Sequence, residues 1–295
     1  MLKHRVMTAI ILFPLLLLSI LYGDRMLWQI LLSACVGLTA FETVRMLVPA
    51  LEFKIAANKD GLSLEQTQIK FAGWSHWLVF SVLISILTFN FSIFASDRLL
   101  NLSITSSASI LPAMFSIVML YAVFSARCVE LSIIRMLGLV VGVVYACLPW
   151  FAVWNLFNYG ENGRFLFLLI FVVMGCDTGA YFGGKAFGKR KMSKQLSPNK
   201  TWEGLIIGVL SAVGFGLLSN MIFDGTLGTT QFIVLVSLVG AITGVLGDLV
   251  ESGFKRFSGV KDSGKIFPGH GGFLDRVDAI LFSAPVVWFC LFLAT

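Results

Sequence analysis

The sequence predicts an all-α, polytopic membrane protein of about nine transmembrane helices, the last four forming a glycine-rich bundle. Three observations carry this. The chain is 57% hydrophobic and only 13% charged, with a mean hydropathy of +0.89, whereas a soluble domain carries roughly a quarter charged residues. Apolar runs long enough to span a bilayer, about 20 residues each, recur along its whole length. Lysine and arginine alternate sides between them.

The runs lie near 6–22, 26–44, 74–95, 106–125, 136–157, 165–184, 203–223, 231–252 and 274–294. The first follows a basic end and starts like a signal peptide, but GDRM stands where a small-x-small cleavage site would be, so it reads as a retained span. The fourth mixes serines and Pro112 into its apolar run. Residues 50–71 form the one long polar linker, with room for a short surface helix. The division expected is an N-terminal transmembrane region, 1–160, of about five spans and a C-terminal catalytic region, 161–295, of about four.

With the N-terminus inside, the inner segments hold 19 Lys and Arg and the outer loops only Arg25, Arg98 and Arg164. Cytoplasmic loops hold the positive charge, so the ratio places the N-terminus and both charged C-terminal loops in the cytoplasm, and a bacterial cytoplasmic (inner) membrane is the expected location. The net charge of +6 is then first a sidedness signal, with anionic lipid rather than nucleic acid as its counterpart. Five scattered cysteines without a CxxC pair argue against a disulfide framework or a structural zinc site.

Twenty of the 28 glycines fall between residues 171 and 272. Gly175, Gly179 and Gly183, then Gly204 and Gly208, then Gly240 and Gly244 are spaced four apart. That spacing lets helix backbones approach closely in lipid, so the second half reads as a tight bundle within a looser surround.

Charge concentrates where it is expensive. Residues 248–278 hold ten of the 38 charged side chains, and charge beside a bilayer marks function. Asp248, Glu251 and Ser252 share one helix face, as do Asp275 and Asp278. Both faces, with Asp177, Lys200 and Glu203, fall at the same bilayer edge. Clustered carboxylates repel one another unless a cation joins them, and an all-oxygen ligand set suits Mg²⁺ or a similar hard ion. Lys200, Lys255, Arg256, Lys261, Lys265 and Arg276 can bind phosphate oxygens. Gly269, Gly271 and Gly272 let backbone N–H groups approach an anion at the start of a helix. Carboxylates for a metal and bases for phosphate are what phosphoryl or nucleotidyl transfer requires. Duller roles remain for several residues: a helix–helix partner for Asp177, orientation for Lys189, Arg190 and Lys191, and a loop cap for His270. Glu42, in the second span, has no assigned role. Two near-matches to a phosphate-binding P-loop, at Gly259 and Gly183, fail because Ile266 and Arg190 stand where a Ser or Thr is needed.

The run SGFKRFSGVKDSGKIFPGHGGFLDRVD, Ser252 to Asp278, resembles the signature of the CDP-diacylglycerol synthases, also called phosphatidate cytidylyltransferases. SPNKTWEG (197–204) is similar to a second family segment, often SPKKTWEG, from which Asn199 departs, and CDTGAYFGGKAFGK (176–189) to a third. The resemblance is specific over roughly 175–280 and general before that. It implies a membrane enzyme joining CTP and phosphatidic acid to give CDP-diacylglycerol and pyrophosphate, Mg²⁺-dependent, with a second, monovalent cation and a homodimeric assembly as further implications. By motif the metal ligands fall on Asp248 and Asp275, with Asp278 close by.

That reaction fits the residues. An ionised lipid phosphate needs no strong general base, and no Ser–His–Asp arrangement or activated cysteine is visible. Lys255, Arg256 and Lys261 are expected to neutralise the triphosphate, and Lys200, with Ser197 and Thr201, to grip lipid phosphate or CTP. Asp177 and Asp262 are expected to orient substrate or add a ligand; Arg276, Gly271 and Gly272 are expected on the phosphates, and His270 in the catalytic loop. Two rivals stand beside this reading. A sister enzyme would use another lipid phosphate with the same chemistry. A transporter would place polar residues at the midplane of two repeats, and no repeat is visible.

Overall fold

A computed structural model describes residues 18–60, 75–98, 129–160, 163–266 and 271–294. These form helices α1 (Arg25–Asp60), α2 (Ser75–Arg98), α3 (Val129–Asn158) and α4 (Arg164–Phe187), then strands β1 (Lys191–Ser193) and β2 (Ser197–Thr201), then α5 (Trp202–Ile222), α6 (Thr230–Phe257) and α7 (Leu274–Ala294). Seven of the nine expected spans coincide with these helices. The run at 106–125 lies outside the described residues, and of 6–22 only the helical end, 18–22, is described. Among the described residues six helices are long and apolar enough to cross a membrane by length and composition, and α2 contributes a shorter apolar stretch, Ser81–Phe91. The multi-pass helical architecture holds, and the described residues account for seven of the nine expected spans. α1 runs on to Asp60, so helix occupies the first part of the polar linker.

Helices α1, α2 and α3 pack on one another, α6 packs against both α5 and α7, and α4 pairs with α5; α3 also meets α7, which joins the two groups. Lipid gives little hydrophobic drive between helices, so close packing and hydrogen bonds between them do the joining. In the first group Gln29 Nε2 donates to Asn90 Oδ1 at 3.0 Å, Asn90 Nδ2 to Ser33 Oγ at 2.9 Å, and Trp150 Nε1 to Thr39 Oγ1 at 2.9 Å. Trp28 stacks on Phe157 with ring centroids 4.8 Å apart.

In the second group the glycines do what their spacing predicts. A Cβ on Gly175 would run into Phe215, one on Gly179 into Ser211, and one on Gly183 into Ile207. From the other side, a Cβ on Gly208 would stand 2.8 Å from the Cys176 carbonyl oxygen and 2.9 Å from Ala180 Cβ. Gly240 faces Val287, and Gly244 faces Ser283 in the same way across α6 and α7. Gly208→Val is therefore expected to destabilise the protein by about 1–3 kcal/mol through overpacking. Thermal unfolding in detergent would show this as a lowered midpoint, and an unchanged midpoint would mean that α4 and α5 yield to the added methyls.

The hairpin is the element that apolar patterning does not reveal. Its strands are polar and pair antiparallel, Lys191 with Thr201 and Ser193 with Ser197. Glu203 closes it, its carboxylate accepting from the backbone N–H groups of Lys189 (3.0 Å) and Arg190 (3.1 Å). The Thr201 hydroxyl caps α5 by accepting from Gly204 N at 3.2 Å. The SPNKT segment thus reaches the span as a strand, and its lysine is aimed by a hairpin.

Candidate active site

The charged ends of α6 and α7 meet beside this hairpin. Asp248 and Glu251 on α6 and Asp278 on α7 offer carboxylate oxygens that all lie within 4.8 Å of one another. Glu251 is fully buried. Lys200 reaches in from β2, its Nζ 2.7 Å from Asp248 Oδ2 and donating to the Val245 carbonyl at 3.1 Å. Lys255, one turn after Glu251, pairs with Glu251 and with Asp275 Oδ1, the latter at 2.8 Å. Ser252 Oγ donates to Asp248 Oδ1 at 3.3 Å.

Asp248 and Asp275, the pair that the motifs single out, stand differently. Asp248 belongs to the carboxylate group. Asp275 lies across the Lys255 ammonium from it, with both oxygens engaged by protein groups. Its Oδ2 accepts from Gly272 N (2.8 Å) and Ser263 N (3.0 Å) and lies 3.1 Å from Ser263 Oγ, while Lys255 takes Oδ1. The start of α7 at Leu274 explains the difference. It puts Asp275 in the first turn, where backbone N–H groups lack helical partners, and carries Asp278 one turn deeper to face α6.

The remaining expected residues divide. Asp177, on α4, interacts electrostatically with Asp248 and Lys200, so it joins the site. Arg256 is exposed and donates from Nε to the Leu196 carbonyl at 3.4 Å, tying α6 to the hairpin. Lys261, Asp262, Lys265 and Arg276 are exposed around the mouth. Ser197 is half-buried in β2, and the Thr201 hydroxyl is engaged in the α5 cap. Gly271 adopts φ 86°, the left-handed region that glycine enters without steric cost, and a side chain there would meet Asp275 Oδ2. Gly272 is buried with its N–H on Asp275. His270 and Gly269 lie outside the described residues.

Three participants were not assigned as site residues from the sequence. Glu251 was visible on the acidic face, and its burial is what promotes it. Tyr145 of α3 sets its ring edge-on to Phe254, at 5.7 Å between centroids, and its hydroxyl is buried without a hydrogen-bond partner among the described residues. It lies within electrostatic reach of Glu251 and Asp278. Glu42 of α1 reaches Ser263, Phe273 and Leu274 in the signature loop.

The donor set fits a hard divalent cation. Three carboxylates from two helices converge, and Glu251 Oε1 is buried with no hydrogen-bond donor on it among the described residues. An uncompensated buried carboxylate oxygen is costly, and a bound cation would supply the missing partner. Beside the same turns of α6, an apolar groove of about 450 Å³ runs between Leu246, Leu249 and Val250 and the α7 residues Phe282 and Val286, with Leu196 of the hairpin at its edge.

Helical spans ending in paired acidic faces, with lysines between them, define a multi-pass helical membrane protein with a charged site at the end of its spans. The chain belongs to the cytidylyltransferase family, whose family model matches residues 3–294. It is 48% identical over 129 residues to a phosphatidate cytidylyltransferase of Haemophilus influenzae, a match covering 42% of this chain and 44% of that protein. It is 39% identical over 163 residues to one of Bacillus subtilis, covering 55% and 58%, and 45% identical over 127 residues to one of Staphylococcus epidermidis, covering 43% and 48%. The aligned chain spans about half the length of these relatives.

Proposed function

We propose that the protein is a phosphatidate cytidylyltransferase: it joins CTP and phosphatidic acid to give CDP-diacylglycerol and pyrophosphate at the cytoplasmic edge of a bacterial inner membrane. The observation that carries this is the convergence of Asp248, Glu251 and Asp278 with Lys200 and Lys255 at one end of the α5–α7 bundle. An ionised oxygen of the lipid phosphate attacks the α-phosphorus of CTP. The new P–O bond forms as the bond to the β-phosphate oxygen breaks, and the electron pair leaves on pyrophosphate. No proton has to be removed from the nucleophile.

The chain's task is therefore to hold two polyanions together. Lys200 on its hairpin meets phosphate at the membrane edge, Lys255 stands between the carboxylates, and Arg256 and Lys261 neutralise the triphosphate and the departing pyrophosphate. Asp248 with Glu251 and Asp278 would hold Mg²⁺, and Asp275 borders them across Lys255. Bound there, the cation would stabilise charge developing on the phosphates. Asp177 would orient that set or ligate a second, monovalent ion. The apolar groove beside α6 suits a lipid acyl chain, which would place the headgroup beside the basic residues.

Sidedness rests on the Lys and Arg asymmetry, and homodimeric assembly rests on family resemblance. Detergent-purified protein given radiolabelled CTP, phosphatidic acid and Mg²⁺ is expected to move label into the organic phase, and EDTA to stop it. Transfer to a polyprenyl phosphate alone would assign the sister activity. No transfer to any lipid phosphate would overturn the reading.

A further inference from the structure

We propose that Glu42, in the membrane-spanning helix α1, is a positioning residue for the cation site. This rests on the cation-dependent transfer reading above, although the N-terminal region holds none of the reacting groups. Glu42 is 1% exposed. Its Oε2 accepts from Ser263 Oγ and from Leu274 N, both at 2.8 Å, and its Oε1 accepts from Phe273 N at 3.0 Å. Three neutral donors thus converge on one buried carboxylate, and two of them are the N–H groups that open α7. A negative charge is favoured at that place by the helix dipole.

Two glycines of the signature loop exist in relation to it. A Cβ on Gly264 would overlap Glu42 Oε1. One on Gly272 would stand 2.5 Å from Oε2 and 2.6 Å from Oε1. The loop comes close enough for hydrogen bonding only because these positions have no side chain.

From Glu42 a continuous set of contacts reaches the carboxylate group. Ser263 Oγ lies within hydrogen-bond distance of both Glu42 Oε2 and Asp275 Oδ2. Asp275 holds Lys255, and Lys255 holds Glu251. α1 therefore fixes where α7 begins, and with it the placement of Asp275 and Asp278 against α6. Gln cannot replace Glu42 here, because its amide N–H would oppose one of the three donors.

The test uses full-length protein in detergent and Mn²⁺ as the probe, with free Mn²⁺ read by electron paramagnetic resonance. Glu42→Gln is expected to weaken Mn²⁺ binding by about tenfold, the scale of groups that orient metal ligands from behind. Saturating metal should then restore most of the transfer rate. Ser263→Ala should weaken binding in the same direction, and the double variant should bind no more weakly than the worse single one. Thr43→Val, which removes from the same helix a buried hydroxyl without a hydrogen-bond partner among the described residues, should bind as the wild type does.

Wild-type affinity in Glu42→Gln would overturn the proposal, and so would an equal loss in Thr43→Val or additive losses in the double variant. Should Glu42→Gln fail to fold, Ser263→Ala decides alone, since unchanged binding there breaks the connection to Asp275. If the wild type binds Mn²⁺ but transfers no cytidylyl group, the proposed function fails while the Mn²⁺ comparison still decides the role of Glu42.

Discussion

Asp248→Asn is expected to reduce cytidylyl transfer by about 100-fold or more, at or beyond the upper end of what the loss of a group behind a metal ligand costs. Asp248 links the carboxylate group to the hairpin lysine. It shares the carboxylate group with Glu251 and Asp278, pairs with Lys200 at 2.7 Å, and accepts from Ser252 at 3.3 Å. Asparagine keeps the size but removes the charge that both a cation and Lys200 require. Its amide nitrogen would point a donor at one of them.

The variant should therefore need more Mg²⁺ for half-maximal rate and should respond less to CTP, while its fold persists. Asp248 is part-exposed, with 37% of its side chain accessible, so little desolvation penalty is released or incurred in the unliganded protein. Titrating Mg²⁺ against initial rate, beside a thermal melt without metal, separates the two effects. A wild-type rate at limiting Mg²⁺ would remove Asp248 from the cation site. A collapsed melt would make it structural instead.

The sequence was most informative where the physics is local. Uninterrupted apolar runs located α1 to α7 because a lipid-facing helix has few ways to be written. The i, i+3, i+4 spacing put Asp248 and Glu251 on one face, and four-residue glycine spacing marked where α4 meets α5. Other features depend on distances that no local pattern encodes. Glu42 stands 231 positions from Phe273, and an unexplained carboxylate in an apolar run says that a partner exists without saying which.

Asp275 and Asp278 look equivalent by spacing. Only the helix start at Leu274 decides that one binds the loop before the helix and holds Lys255 while the other faces α6. The hairpin at 191–201 lacks apolar alternation altogether, so its polar residues look like the approach to a span. Thr201 was legible as a hydroxyl near phosphate chemistry, yet its partner in the structure is the backbone of Gly204.

Asp275→Asn separates holding the site together from holding the metal. Asp275 has four contacts from three residues: Lys255 on one oxygen, and Gly272 N with Ser263 N and Oγ on the other. An amide offers one acceptor oxygen. In one orientation its NH₂ faces the Lys255 ammonium; in the other it faces the two backbone N–H groups, so a donor meets a donor either way. Side-chain exposure is 9% for Asp275 and 14% for Lys255, so solvent screens this pair weakly. Breaking such a pair costs about 3–5 kcal/mol.

Unlike Asp248→Asn, this variant should melt measurably earlier in detergent with no metal present. Its transfer should fall as well, because Lys255 loses the partner that holds it beside Glu251. A stable Asp275→Asn protein with a raised Mg²⁺ requirement would instead make Asp275 a ligand, with Lys255 displaced when the cation binds. Chemical unfolding of both variants, with and without Mg²⁺, distinguishes these cases. A ligand's loss shows only in the metal-bound curve, whereas the loss of a loop-binding and pairing group shows in both.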